Sequence, residues 1–236
     1  MSAFHPFADR EALFVALCEE LVCRARAAIT ARGVALLGLS GGSTPLPLYR
    51  AFARADLDWS RVVFALVDER WVDVAGPGSN EAALREALAG ALGAGATLVG
   101  MKNAAPTPAA GLAVCEGIYR ALPLPFDLIV LGMGDDGHTA SLFPHATGLD
   151  VALAPAAGQV CAAISIQPDP VAGAFTERMT LTLPAIRDAR ARLLLLCGES
   201  KRRVLELARA GTDIRAMPVR AVLATPAAPL DLWWAP

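Results

Sequence analysis

Phe126-Asp-Leu-Ile-Val-Leu-Gly-Met-Gly-Asp-Asp-Gly-His-Thr-Ala-Ser-Leu-Phe-Pro144 is the stretch on which the reading of this chain turns. It opens as a buried strand. Phe126 to Leu131 is apolar except for Asp127 and too short for a core helix. The pattern breaks at Gly132, Gly134 and Gly137, with Asp135 and Asp136 between them, which is loop chemistry. His138 follows at once, and Thr139 to Phe143 is expected to begin a helix. A histidine on a glycine-tight turn at the carboxyl end of a parallel strand stands where open α/β sheets put their ligands. Histidine also changes charge near neutral pH, so it can take or give a proton there.

Other readings attach to the same residues. Gly132-x-Gly134-x-x-Gly137 matches the dinucleotide fingerprint, which wants an acidic residue about 20 positions on, closing the next strand. Asp150 and Asp169 stand at the wrong spacing, and the next strand-like run ends at Ile166-Gln167. His138 could simply cap its turn. It could also join His145 and Asp136 around a metal, but a gap of seven residues across Pro144 is no recognised ligand pattern. Neither a metal nor a cofactor is expected.

At 236 residues the chain has room for one large domain or two small ones. Apolar strands and helices alternate along its whole length with no repeat and no low-complexity linker. One domain over residues 1–236 is therefore expected. Its class is α/β, a three-layer Rossmann-like fold with a mainly parallel sheet flanked by helices. Apolar residues make up 55% and charged ones 19%, the balance of buried parallel strands rather than of disorder. No apolar run reaches the length of a bilayer span. The opening MSAFHPFADREALF lacks the basic and apolar regions of a signal peptide. Five scattered cysteines with no Cys-x-x-Cys read as reduced thiols of a cytoplasmic protein. A net charge of −2 gives no footprint for nucleic acid, so any anionic ligand must meet a local cluster of positive charge. Of 21 basic residues only Lys102 and Lys201 are lysine, so a lysine in a pointed location suggests a local reason.

Upstream, Asp9 caps a helix to about Arg32, with Leu13, Leu17 and Leu21 on one face and Gly33 as its stop. Val34 to Leu39 reads as a short buried strand running into Ser40-Gly41-Gly42-Ser43-Thr44-Pro45 and a helix to about Arg54, with Ser43 or Thr44 as its cap. A glycine turn between strand and helix leaves backbone N–H groups aimed at one spot, which is an anion site or simply a tight turn. It is not a Walker loop, because no Gly-Lys-Ser/Thr follows. Arg61 to Val67 is the next buried strand, ending in Asp68-Glu69-Arg70-Trp71, either a solvated rim or reactive groups at a strand's carboxyl end. Ser79 caps a helix to about Leu92, Thr97 to Gly100 suggests a short strand, and Thr107-Pro108 opens a helix to about Leu122.

Downstream, Leu149 to Gly158 reads as loop and Gln159 to Ile166 as a strand. Glu177 to Thr182 alternates like a half-buried strand, and Pro184 starts a short helix. Arg192 to Cys197 is apolar and leads into Gly198-Glu199-Ser200-Lys201-Arg202-Arg203 and a helix to about Ala210. Cations at a helix N-terminus oppose the macrodipole, and a bound anion would reverse that sign. Lys201 is thus a phosphate-ligand candidate, the alternative being three cations in solvent. Leu230 to Ala235 reads as an edge strand whose Trp233 and Trp234 pack rather than stack on a ligand.

The ordered set Leu39–Pro45, Val67–Trp71, Ser79-Asn80, Phe126–Pro144, Glu177–Thr182 and Gly198–Lys201 resembles the 6-phosphogluconolactonase family from about residue 8 to 235. The resemblance implies a fold shared with glucosamine-6-phosphate deaminases and metal-free hydrolysis of 6-phospho-D-glucono-1,5-lactone in the oxidative pentose phosphate pathway. It implies His138 as general base, oriented by Asp68 or Asp136. It also implies that Ser40, Gly41, Gly42, Ser43 and Thr44 bind phosphate with Arg178 and Lys201, and that Arg70 lines the pocket. The expected partner is a small sugar-phosphate lactone, with no nucleic acid and no membrane, on a monomer or weak homo-oligomer. The sister deaminases carry a glutamate five residues after the histidine, where this chain has Phe143, so the lactonase is favoured. A non-catalytic sugar-phosphate sensor would not need His138. Two positions depart from the family pattern, His145 after Phe143-Pro144 and Gly76 before Ser79-Asn80, and both are expected at the pocket's rim.

Overall fold

The computed structural model describes residues 3–168, 173–224 and 230–236; Asp169 lies outside them. A three-residue strand β1 (Phe4–Pro6) precedes the long helix α1 (Arg10–Arg32) and strand β2 (Ala35–Leu39). Helix α2 (Leu46–Phe52) leads to β3 (Val62–Leu66), and after one residue comes β4 (Asp68–Arg70). Helices α3 (Asn80–Ala87) and α4 (Ala89–Gly93), strand β5 (Thr97–Val99) and helix α5 (Pro108–Arg120) lead to the central strand β6 (Leu128–Leu131). Next come α6 (Leu149–Leu153), β7 (Cys161–Ser165), β8 (Glu177–Leu181) and α7 (Leu183–Arg187). The chain closes with β9 (Arg192–Cys197), α8 (Glu199–Ala210), α9 (Val219–Leu223) and β10 (Leu230–Ala235).

Seven strands form one sheet in the order β1-β10-β9-β6-β2-β3-β5, with every pair parallel. Strands β2 and β6 are buried along their whole length, as parallel strands covered by helices on both faces must be. The fold is α/β, as the alternation of elements predicts. The helix ends follow from local chemistry. Asp9 accepts from Ala12 N at 2.8 Å, Ser79 from Ala82 N at 3.1 Å and Thr107 from Ala110 N at 3.2 Å. Gly33, at φ 79°, closes α1 in the left-handed region that favours glycine.

Several expectations are corrected. Asp68-Glu69-Arg70 is not the tail of β3 but a strand of a second, antiparallel sheet ordered β4-β8-β7. Strand β8 is buried from Arg178 to Leu181 rather than alternating, because it is the middle strand of that sheet. Strand β10 is not an edge: β1 pairs on its far side, Phe4 opposite Leu232. Helix α2 starts at Leu46 behind Pro45, with no capping side chain from Ser43 or Thr44. The helix expected to reach Leu92 breaks at Leu88 into α3 and α4. The stretch 149–158, read as loop, holds the short helix α6.

Thr139 to Phe143 does not form a helix. Thr139 Oγ1 donates to Gly132 O at 2.8 Å, Ser141 Oγ to Asp68 Oδ2 at 2.6 Å, and Ser141 N to Thr180 Oγ1 at 3.2 Å. Ala140 turns into positive φ at 50°. Polar side chains that bond to distant partners compete with the helical ladder, and here they win. The tryptophans pack as expected: Trp233 lies 5.2 Å from the Phe7 ring and Trp234 6.4 Å from Phe4.

Candidate active site

The order of the large sheet reverses between β2 and β6. From β2 the chain moves out through β3 and β5; from β6 it moves the other way through β9 and β10. Open α/β sheets bind ligands at this reversal, outside the carboxyl ends of the strands. The loop after β2 and the loop after β6 flank it. Both contribute to a pocket of about 540 Å³ whose lining includes Ser40 to Thr44, His138, Asp68, Arg70, Arg178 and Lys201.

Strand β6 hands directly to the turn that carries His138. Gly134 N donates to His138 O at 2.8 Å, closing the loop, and Gly137 occupies φ 79°. Asp136 Oδ1 accepts from His138 N at 3.0 Å and lies 2.7 Å from His138 Nδ1. A carboxylate can only accept, so Nδ1 carries a proton, and in the neutral imidazole Nε2 is then the acceptor. Burial works to raise the Asp136 carboxyl, but hydrogen bonding and the charge of His138 outweigh it and hold Asp136 below its ordinary value. The imidazole also stacks on Phe143, with ring centroids 3.9 Å apart and planes 19° apart.

The loop after β2 is shaped by its surroundings. Ser40 Oγ donates to Val130 O at 2.9 Å, and Ser40 O accepts from Tyr49 Oη at 3.2 Å, so this serine ties the loop to β6. Gly41 lies against Asn80, whose amide occupies the space a Cβ would need, and Gly42 adopts φ 95°. Asn80 is itself fixed by donating Nδ2–H to Asp68 O at 2.9 Å.

The second sheet supplies positive charge. Its register sets Arg70 directly opposite Arg178 and Asp68 opposite Thr180. Like charges directly opposite on adjacent strands repel, and an anion between them would reverse that cost. Arg70 Nη1 donates to Gly78 O at 2.7 Å, and Arg178 Nε to Phe175 O at 2.8 Å. Burial lowers the Arg178 guanidinium, opposed by the Asp68 carboxylate. Between the two pocket-facing residues of β4 lies Glu69, fully buried. Its carboxyl accepts from the backbone N–H of Arg70 and Asn80 at 2.7 Å each, Glu81 N at 2.8 Å and Ser79 Oγ at 3.1 Å. It thereby caps α3 and fastens it to β4. The last cation comes from α8: Lys201 Nζ lies 2.8 Å from Asp135 Oδ1.

The structure therefore brings all eleven sequence-derived site residues to one place, with some reassigned by geometry. The described bond of the Asp68 carboxylate goes to Ser141 Oγ, and it is Asp136 that meets His138. Of the three cations opening α8, Lys201 reaches the pocket. Arg202 lies over the Trp234 ring at 5.1 Å, and Arg203 is exposed. The other lysine, Lys102, sits 4.5 Å from the Trp71 ring centroid and donates to loop carbonyls away from the pocket. His145 is exposed at φ 54°, and neither it nor Gly76 lines the pocket, so the two departures fall outside the walls that meet a ligand. Sequence reading assigned no contact to Asp135 or Phe143. Their partners Lys201 and Arg178 stand far along the chain, and only tertiary structure joins them. Among the described residues no three histidine, cysteine, aspartate or glutamate side chains converge as a metal site would require. No helix there is long and apolar enough to cross a membrane.

Comparison with known proteins identifies the family to which the sequence and fold belong. Residues 8–233 match the family model described as glucosamine-6-phosphate isomerases/6-phosphogluconolactonase. The chain is 41% identical over 237 residues to a 6-phosphogluconolactonase of Rhizobium meliloti (strain 1021), covering 100% of both chains. It is 39% identical over 220 residues to one of Pseudomonas aeruginosa, covering 93% of this chain and 89% of that protein. A crystal structure of a 6-phosphogluconolactonase from Shewanella baltica OS155 superposes with a TM-score of 0.94 at 38% identity, covering 100% of this chain and 98% of the other. The chain, by its sequence along nearly its whole length and by its fold, belongs to the glucosamine-6-phosphate isomerase/6-phosphogluconolactonase family.

Proposed function

We propose that this protein hydrolyses 6-phospho-D-glucono-1,5-lactone to 6-phospho-D-gluconate, a step of the oxidative pentose phosphate pathway, with His138 as the base that activates water. The observation that carries the reading is the 2.7 Å contact of His138 Nδ1 with Asp136, in a pocket also lined by Arg70, Arg178 and Lys201. With Nδ1–H held by the carboxylate, Nε2 takes a proton from water as the oxygen attacks the lactone carbonyl. Asp136 then steadies the imidazolium. The ring C–O bond breaks as the tetrahedral centre collapses, and the alcohol leaves with a proton returned from His138. A positioned base contributes about 10²- to 10⁴-fold in rate.

The phosphate is held by Arg178, Lys201 and the backbone of Gly41, Gly42, Ser43 and Thr44. Ser40 shapes that loop. Arg70 lies beside the lactone, where a guanidinium steadies the developing oxyanion; each preorganised donor of this kind is worth about 10²- to 10³-fold. Asp68 holds Ser141 and, through it, the turn behind His138. Ser141 is fully buried with its Oγ donated to Asp68, which argues against a covalent serine intermediate. Phe143 has no proton to exchange, so the position where the deaminases carry a glutamate supplies no further acid/base group, which favours hydrolysis over isomerisation. One domain carrying the whole site, acting as a monomer or weak homo-oligomer, completes the proposal.

The test uses lactone freshly generated from glucose-6-phosphate by its dehydrogenase, with disappearance compared with the uncatalysed rate. Wild type accelerates it, and His138→Ala loses about 10²-fold or more. Calorimetric affinity of His138→Ala for 6-phosphogluconate stays within about threefold of wild type, since the phosphate contacts remain. A variant as fast as wild type moves the base elsewhere; one that loses product affinity makes His138 a binding residue.

A further inference from the structure

We infer that Phe143 is a positioning residue, a buried ring that fixes His138 and Arg178 relative to each other and so aligns the proton-transfer end of the site with its phosphate end. The inference rests on the hydrolase reading above for its kinetic consequence, though not for its geometry. Phe143 is 2% exposed, its ring lies 3.9 Å from the imidazole at 19°, and the Arg178 guanidinium carbon is 5.1 Å from the same ring's centroid. The two contacting groups come from different sheets: His138 follows β6 of the large sheet, and Arg178 lies on β8 of the small one. Phe143 follows a turn bound to both, through Thr139 Oγ1 to Gly132 O at 2.8 Å and Ser141 N to Thr180 Oγ1 at 3.2 Å.

The geometry has two effects. Asp136 fixes one edge of the imidazole but leaves its tilt about the Nδ1 contact free; a parallel ring at 3.9 Å removes that freedom. A phenyl face also carries negative charge density, which attracts a guanidinium and, once His138 has taken a proton, the imidazolium as well. One ring thus supports both the positive charge on Arg178 and the charge that appears on His138 during turnover.

The experiment compares wild type with Phe143→Leu and Phe143→Met, both apolar and without a ring face. Three quantities are read on each: kcat and KM on fresh lactone, the calorimetric Kd for inorganic phosphate, and the imidazole nitrogen NMR signals of His138. Both variants are expected to lose about 10²-fold in kcat, since a misplacement of about 1 Å at a reacting group costs about that much. The phosphate Kd rises about threefold or more as Arg178 loses its platform, and the imidazole signals shift. A ring that only fills space would lower the unfolding temperature and leave kcat per folded molecule, the phosphate Kd and the imidazole signals unchanged. That result, in either variant, overturns the inference. If wild type itself fails to hydrolyse the lactone, the functional reading falls, while phosphate titration and NMR still decide whether Phe143 holds the two groups.

Discussion

One methyl group added at Gly134 should silence the site while leaving the protein folded. Gly134 does not occupy positive φ, so alanine fits its backbone. A Cβ built there would stand 2.5 Å from Asp136 Oδ1 and nearer still to His138 Nδ1. Non-bonded heavy atoms settle at about 3.5 Å or beyond, so the pair must retreat by about 1 Å. The ring has little room to retreat, because Phe143 lies against its face at 3.9 Å and Gly134 N is bonded to His138 O. A displacement of about 1 Å costs about 10²-fold in rate. That factor corresponds to about 2.7 kcal/mol of transition-state stabilisation. Gly134→Ala is therefore expected to lower kcat about 10²-fold on freshly generated lactone, with the calorimetric Kd for inorganic phosphate within about threefold of wild type. Far-UV circular dichroism and the unfolding temperature serve as the folding control. A folded variant within about threefold of wild-type kcat would refute the reasoning, for it would mean that the Asp136–His138 geometry has no bearing on rate.

Three further outcomes follow from other parts of the site. Lys201→Ala should raise KM about tenfold and change kcat little, the low end for a charge-assisted phosphate contact because Lys201 is already paired with Asp135 in the free pocket; an unchanged KM would return Lys201 to the solvated face of α8. Glu69→Gln should destabilise the fold by about 2–4 kcal/mol in denaturant titration, because an amide NH₂ would face N–H donors that now converge on a carboxylate; a loss below about 0.5 kcal/mol would contradict that accounting. Asp136 titrates in the fold below its ordinary value near 3.8, so its stabilising contribution is full above that value and is lost as pH falls through the lower folded one. Wild type should accordingly lose more stability than Asp136→Asn between pH 5 and pH 2.5, and equal losses would disprove the linkage.

What was legible in the sequence was what short-range chemistry controls. Asp9, Gly33, Ser79 and Thr107 announce helix ends because each acts within four residues of itself. The buried strands β2, β3, β6 and β9 show as short apolar runs bounded by polar, proline or glycine residues. Strands β1 and β4 do not show, because three residues carry no periodicity and their existence depends on partners such as Leu232 and Arg178 that lie far along the chain. The turn at Thr139 to Phe143 departs from its local helical signal for a related reason. Alanine, serine and leucine suit a helix locally, but the hydroxyls of Thr139 and Ser141 are committed to Gly132 and Asp68. Composition likewise left Asp68 and Asp136 equal as partners of His138. Only geometry separates a carboxylate 2.7 Å from Nδ1 from one spent on a buried serine.

The pairing of β4 with β8 has a consequence for the electrical sign of the pocket. In a chain of net charge −2, strand β4 turns Arg70 into the pocket, with Asp68 on the same face, while Glu69 points the other way. A slip of one residue would exchange those faces, pointing Glu69 toward the ligand and withdrawing Arg70 from Arg178. The Glu69 carboxyl, held by the first turn of α3, would lose those bonds in such a slip. The side on which Arg70 stands is thus stored in strand alignment rather than in the amino-acid count, and a buried acid on the opposite face is tied to that alignment.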